Sequence, residues 1–348
     1  MVSRNGFGIL IAAAVGTFVL VPAHGSAQAD PEVDPCSRDV IYLSQLAGLF
    51  GCAETGYAPD QYTLGVIYHN GDGVPQDDAE AVRWYRLAAE QGHASAQSNL
   101  GVMYDDGNGV PEDDAEAVRW YRLAAEQGHA SAQNNLGLMY DDGNGVPEDD
   151  AEAARWYRLS AEQGFAVAQS NLGVMYDNGN GVPEDDAEAV RWYRFSVEQG
   201  FAAAQYNLGL MYEHGNGVPE DDAEAVRWYR LAAEQGYVFA QFNLGVMYTR
   251  DEGVPEDDAE AARWFRLAAE QGFAAAQHTL GFMYTVGDGV PVDLVFAFMW
   301  FNLLAAQGNE TAQRNNEMTE QYMTRQQIAE AQRLSRDWIE THPQDGGN

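Results

Sequence analysis

Tryptophan recurs at Trp84, Trp120, Trp156, Trp192, Trp228, Trp264 and Trp300, once every 36 residues of a 348-residue chain. Nearly the same text surrounds each one, as in Asp113-Asp114-Ala115-Glu116-Ala117-Val118-Arg119-Trp120-Tyr121-Arg122. Self-similarity at this period marks a stack of like units, because a unit this small buries its apolar face only against a neighbour. Aligned on the tryptophans, the chain holds seven units between about Tyr57 and Gly308.

Each unit reads as two helices. In the second unit the first helix spans about Ala94 to Tyr104. It stops at Gly107-Asn108-Gly109-Val110-Pro111, a turn that neither helix nor strand tolerates. Asp113 is placed to cap the second helix, with Glu116 at the reciprocal capping-box position. That helix runs to Gln127 and ends at Gly128, where glycine takes left-handed backbone without a Cβ penalty. Ala117, Tyr121 and Ala124, with Val118 and Ala125 beside them, follow helical spacing and mark the face to be buried.

The string Ala96-Gln97, Leu100-Gly101, Tyr104, Gly107-x-Gly109-Val110, Ala117, Trp120-Tyr121, Ala124-Ala125, Gln127-Gly128 resembles the Sel-1-like repeat, a relative of the tetratricopeptide repeat. The resemblance returns in register in all seven units. It implies an all-α fold: a right-handed α/α superhelical solenoid of seven 36-residue helix-turn-helix repeats with a C-terminal capping helix. It also implies that Gly101 and the alanines let paired helices approach closely. The function it suggests is a protein-binding scaffold and not an enzyme: an envelope regulator, an assembly adaptor or a secreted factor that touches another organism's proteins. The rival expectation is a β-lactamase-like hydrolase, the label of a cysteine-rich branch with one disulfide per repeat. This chain has Ala or Gly in those units and only Cys36 and Cys52 outside them, so the resemblance does not bring that activity along.

The ends differ from the middle in the way a solenoid's ends should. Thr311-Ala312-Gln313 begins another first helix, but Asn316, Glu317 and Glu320 stand where Leu, Gly and Tyr belong, which marks a cap. Thr324-x-x-Gln327 opens a last helix whose Ile328, Ala331, Leu334 and Trp338 should close the stack. At the start, Arg4, the apolar run Phe7 to Val21 and the site Ala27-Gln28-Ala29 read as a secretory signal cleaved after Ala29. The expected division is a signal peptide over 1–29, an N-terminal segment over 30–56, repeats over 57–308, capping helices over 309–341 and a tail over 342–348. In an oxidising compartment a Cys36–Cys52 disulfide is expected to tie down the N-terminal segment. The chain is therefore expected to be periplasmic or secreted and monomeric, with no membrane insertion after cleavage.

Charge narrows the partners. There are 53 acidic residues against 19 basic ones, every one of them arginine, for a formal net charge of -34. Such a field repels phosphate backbones and anionic lipid, so nucleic acid is not an expected partner and a basic protein is favoured. A solvated face that keeps a long surface soluble accounts for the same composition. Without lysine, the Ser-x-x-Lys motif, the phosphate-loop lysine and Schiff-base chemistry are unavailable, and H-E-x-x-H and G-x-S-x-G do not occur. No catalytic residue, cofactor or metal site is expected. Asp105-Asp106-Gly107-Asn108-Gly109 lacks the oxygen spacing of a calcium loop and reads as a turn; weak, unspecific calcium binding by Glu112, Asp113 and Asp114 stays open. His93 and His129 sit on equivalent places of neighbouring units, too far apart to make a zinc site by themselves.

A helical wheel sorts the first helix into two arcs. Positions equivalent to Ala94, Ala96, Gln97, Asn99, Leu100, Gly101, Met103 and Tyr104 hardly change between units. Those equivalent to Ser95, Ser98, Val102 and Asp105 change, and they fall together in the narrow remaining arc. Toward the C-terminal half this stripe gains Tyr206, Phe239, Phe242, His278 and Phe282. Exposed aromatics on a concave helical surface would hold a protein or peptide segment; alternatively they fill gaps between helices as core. The column Asn99, Asn135, Asn171, Asn207 and Asn243 offers amides to an extended backbone, or ties adjacent repeats together. The Trp120-type residues are expected in the core and not in a ligand cage.

Overall fold

The computed structural model describes residues 43–342. The expected signal peptide, Cys36 and residues 343–348 of the expected tail lie outside them. The described residues form seventeen α-helices and no strand. A lone helix α1 (Leu43–Glu54) precedes seven pairs. These are α2 and α3 (Ala58–Asn70, Asp78–Glu90), α4 and α5 (Ala94–Asp105, Asp114–Glu126), α6 and α7 (Ala130–Asp142, Asp150–Glu162), and α8 and α9 (Ala166–Asn178, Asp186–Val197). Then come α10 and α11 (Ala202–His214, Asp222–Glu234), α12 and α13 (Val238–Arg250, Asp258–Glu270), and α14 and α15 (Ala274–Val286, Leu294–Ala306), closed by α16 (Glu310–Glu320) and α17 (Arg325–Thr341). Each first helix packs on its own partner, and each second helix on the first helix of the next pair. The result is an all-α solenoid, the one-dimensional array that the tryptophan period requires.

Local chemistry sets the helix ends. Asp113 Oδ1 accepts from the Glu116 amide at 3.0 Å, and the equivalent aspartates cap every other second helix in the same way. The reciprocal half of the expected capping box does not form. The Glu116 carboxylate instead accepts from Arg119 Nη1 at 2.9 Å, and that guanidinium lies 4.7 Å above the Trp120 ring. A charged donor outcompetes a neutral backbone amide for the carboxylate. Both halves do form at α17, between Thr324 and Gln327. At the other end of α5, Gly128 adopts φ 86°. His129 N donates to Ala124 O at 3.1 Å and Gly128 N to Ala125 O at 2.9 Å, the bonding pattern of a Schellman stop.

Close helix approach depends on glycine where the sequence placed it. A Cβ on Gly101 would stand 2.5 Å from the Tyr121 ring of the partner helix, so no larger residue fits without moving the pair apart. Trp120 is buried against Ala81, Val82 and Tyr85 of the preceding unit, and its indole N–H has no acceptor. The tryptophans are thus core, as expected. A glutamine ladder runs through the same seam. Gln97 is buried, donates to Ala89 O at 3.0 Å and accepts from Gln127 Nε2 at 2.6 Å. The glutamine-to-glutamine bond recurs six times, from Gln91 with Gln61 to Gln271 with Gln241.

The C-terminal cap closes as the sequence suggests. Ala331 and Ser335 of α17 are buried, and Leu334 and Trp338 pack on the cluster around Trp300 and Phe301. At the N-terminal end Cys52 is buried and carries no free thiol, while Cys36 falls outside the described residues. No described helix is long and apolar enough to cross a membrane.

Candidate protein-binding surface

The five stripe residues all lie on first helices: Tyr206 on α10, Phe239 and Phe242 on α12, His278 and Phe282 on α14. Phe282 is 54% exposed. The other four are half-buried, and the structure shows what covers them. Tyr206 meets Tyr237 at 5.3 Å and Phe239 at 6.0 Å between ring centroids. Phe239 and Phe242 both meet Phe273, at 5.4 and 5.2 Å, with their planes tilted edge to face. Tyr206, Tyr237, Phe239, Phe273 and Phe242 thus form an aromatic run across the joints between units, while His278 packs on Phe301 at 5.9 Å and Phe282 forms no ring contact among the described residues. This run closes the joints on one side and reaches the surface on the other. It is neither a free stripe nor plain core.

Tyr237 and Phe273, which hold this run together, escaped the sequence reading. Each sits just before a first helix, in extended backbone at its N-cap. The signal was present in the same register: Tyr57, His93, His129, Phe165, Phe201, Tyr237, Phe273 and Asn309 occupy this position in turn. In repeat one the same contact occurs, with His93 stacked on Tyr62 at 4.8 Å, and the two histidines at this position also cap their helices. His93 Nδ1 accepts from the Ala96 amide at 3.2 Å, and His129 does the same for Ala132. Burial, with a smaller contribution from the nearby His93, lowers the His129 pKa. A neutral ring is what an accepting nitrogen needs.

Carboxylates line the neighbouring column of the first helices. The buried Tyr121 hydroxyl donates to Asp105 at 3.0 Å, Tyr157 donates to Asp141 at 3.3 Å, and Tyr229 donates to Glu213. Burial pushes the Asp141 carboxyl up to about 6, helped by the charge of Asp142. Burial raises Asp105 and Asp177 in the same direction. The asparagine column borders these pairs. Asn207 stands beside the Tyr193 hydroxyl, Asn243 faces Tyr206 and Tyr229, and Asn171 Nδ2 donates to Asn134 Oδ1 of the preceding unit at 3.2 Å. No three His, Cys, Asp or Glu residues among the described ones converge on a common point.

A family model for the Sel1 repeat matches residues 58–93, 94–129, 130–165, 166–201, 202–237, 238–273 and 274–309, in step with the seven helix pairs. The chain belongs to the Sel1 repeat family. Among solved structures, a Sel1 repeat protein from Oxalobacter formigenes is 38% identical with a TM-score of 0.67, over 78% of this chain and 79% of that one. A protective antigen present in uropathogenic Escherichia coli strains, displaying the same repeat fold, is 32% identical with a TM-score of 0.50, over 87% of this chain and 90% of that one. No curated protein matches the chain. Sel1 repeat solenoids are in general non-catalytic scaffolds that bind other proteins.

Proposed function

We propose that this Sel1 repeat chain is an exported scaffold, periplasmic or secreted, that holds a protein or peptide segment against its first-helix face between Tyr206 and Phe282. Its role is that of an envelope adaptor or regulator. The observation that carries the reading is the aromatic run itself. It links Tyr206, Tyr237, Phe239, Phe273 and Phe242 across successive joints, where repeat one has the single stack of Tyr62 on His93, and exposed Phe282, which forms no ring contact among the described residues, lies beyond its end. Aromatic side chains that combine a packed edge with an open one are rigid anchors and lose little entropy on binding. The net charge of -34 favours a basic partner. Export is supported by the N-terminal signal pattern and by the likeness to a protein described as a protective antigen.

The test is affinity capture from periplasmic extract with the mature chain at low and high salt. Phe242 is tied into a joint, so its loss mixes folding with binding; Phe282 is the cleaner probe. Phe282→Ser is expected to cut capture by about tenfold while the melting temperature moves by less than about 2 °C. Capture that survives both Phe282→Ser and Phe239→Ser, at either salt, sinks the reading.

A further inference from the structure

At the C-terminal end the first-helix face changes character in a way the aromatic run does not cover. Phe282 and Val286 lie one turn apart on α14. Their equivalents one repeat later, Met318 on α16 and Tyr322 just beyond its end, repeat the spacing. All four are exposed: Phe282 54%, Val286 51%, Met318 62% and Tyr322 79%. In the preceding units the positions equivalent to Val286 hold Asp106, Asp142, Asn178, His214 and Arg250. Those equivalent to Phe282 hold Val102, Leu138, Val174, Leu210 and Val246, all half-buried. Only at this end do both positions become large, apolar and open together. His278 Nε2 and Asn315 Nδ2, 3.1 Å apart, link α14 to α16, with Phe282 and Val286 one turn apart on α14 and Met318 and the turn residue Tyr322 at the end of α16.

Three features of the site specify its occupant. First, an exposed i,i+4 apolar pair on α14 beside Met318 and Tyr322 at the end of α16 offers a helix-sized apolar surface of the kind an amphipathic helix covers. An extended segment would gain no main-chain bonds here, because helical backbone amides are already used internally. Second, the charged residues that flank the four in the chain are mostly acidic. Asp288, Glu317 and Glu320 are exposed, and none forms an ion pair among the described residues; Arg314 is the one base on α16. Third, a second copy would bring the same acidic residues and another net charge of -34 against it.

We propose that Phe282, Val286, Met318 and Tyr322 form a docking site for a cationic amphipathic helix of a partner protein, its apolar stripe over the four side chains and its bases toward Asp288, Glu317 and Glu320. This rests on the scaffold reading above, extends its surface past Phe282 onto the C-terminal cap, and adds the helical form of the partner segment. The probe is a fluorescein-labelled Leu/Lys peptide of about 18 residues with leucine at helical spacing, beside a scrambled peptide of equal composition. Binding to the purified chain is read by anisotropy.

The ordered peptide is expected to saturate the chain and to bind at least about tenfold tighter than the scrambled one. Met318→Ser/Tyr322→Ser, both outside the aromatic run, is expected to weaken it by about tenfold with an unchanged circular-dichroism melt. Equal binding of the two peptides reduces the effect to charge and overturns the site. So does a dimer in sedimentation that the same substitutions dissolve. Peptide binding lost in Phe239→Ser but kept in Met318→Ser/Tyr322→Ser removes this site and leaves the scaffold reading intact. Binding untouched by either set, with capture also intact, ends both.

Discussion

Repeats two to four (94–201) and repeats five to seven (202–309) share one core pattern and differ most at the column of their first helices that faces the joint between units. In the earlier group that column holds Ser98, Asn134 and Ser170, all buried. In the later group it holds Tyr206, Phe242 and His278, all half-buried and in ring contact with a neighbouring element. The backbone joint is the same in both; a small residue lets it close and a large one wedges out to the surface. The adjacent column differs as well, with Asp105, Asp141 and Asp177 in the earlier group against Glu213, Thr249 and Thr285 in the later one. A repeat protein can thus hold its stacking constant while the lip of the joint varies, because side chains there can grow without disturbing the seam.

The largest effect should be blind to the difference. Gly101→Val and Gly245→Val drive a side chain into Tyr121 and Phe265 respectively, and each should lose about 2–3 kcal/mol in denaturant unfolding. Unequal losses would show that the two halves do not share a core after all. Next comes the column itself. Phe242→Ala should lose about 1–2 kcal/mol, less than a fully buried phenylalanine, whereas Ser170→Ala at the equivalent position should stay within about 0.5 kcal/mol.

Acid should separate the halves more gently. Asp105, Asp141 and Asp177 have raised pKa values in the folded chain, so their protonated forms favour folding. That contribution is complete below the unfolded carboxylate range and is lost as pH rises through about 6 for Asp141. Lowering pH from about 7 to about 5 should therefore raise hydrogen-exchange protection factors, with the intrinsic pH dependence of exchange divided out, in repeats two to four, with no matching gain at the threonines of repeats six and seven. Asp141→Asn should remove the Asp141 share of that gain. The smallest effect concerns the outer face. Glu116→Gln breaks an exposed pair with Arg119 and should cost less than about 0.5 kcal/mol in thermal unfolding.

Much of this was legible in the sequence. The tryptophan period, the glycines at positions 101 and 128, and the polar residues at Asn316 and Glu317 determine the stack, its close contacts and its end, because each states a backbone or packing requirement by itself. The surface was harder. A wheel places Ser98 on the variable arc, but it cannot show that the residue before the next first helix folds back over it. For that reason the wheel does not reveal Tyr237 and Phe273, and it leaves open the choice between an exposed stripe and gap-filling core. Glu116 was assigned to the Asp113 cap because local spacing cannot rank that amide against Arg119. Met318 and Tyr322 lay in a segment read as a cap, where exposure follows from the absence of another repeat and not from any motif.

The glutamine ladder gives the molecule a direction. From Gln61 to Gln241 each buried carbonyl oxygen is engaged by the next unit's glutamine, but Gln277 is the rung where this stops, and its Oε1 is buried with no partner. A zip fastened at every tooth but its last opens from that tooth. Under tension or rising temperature, peeling should start beyond Gln277 and travel toward the N-terminus, so the stretch bearing the widest apolar exposure is also the one most free to adjust its shape to a visitor.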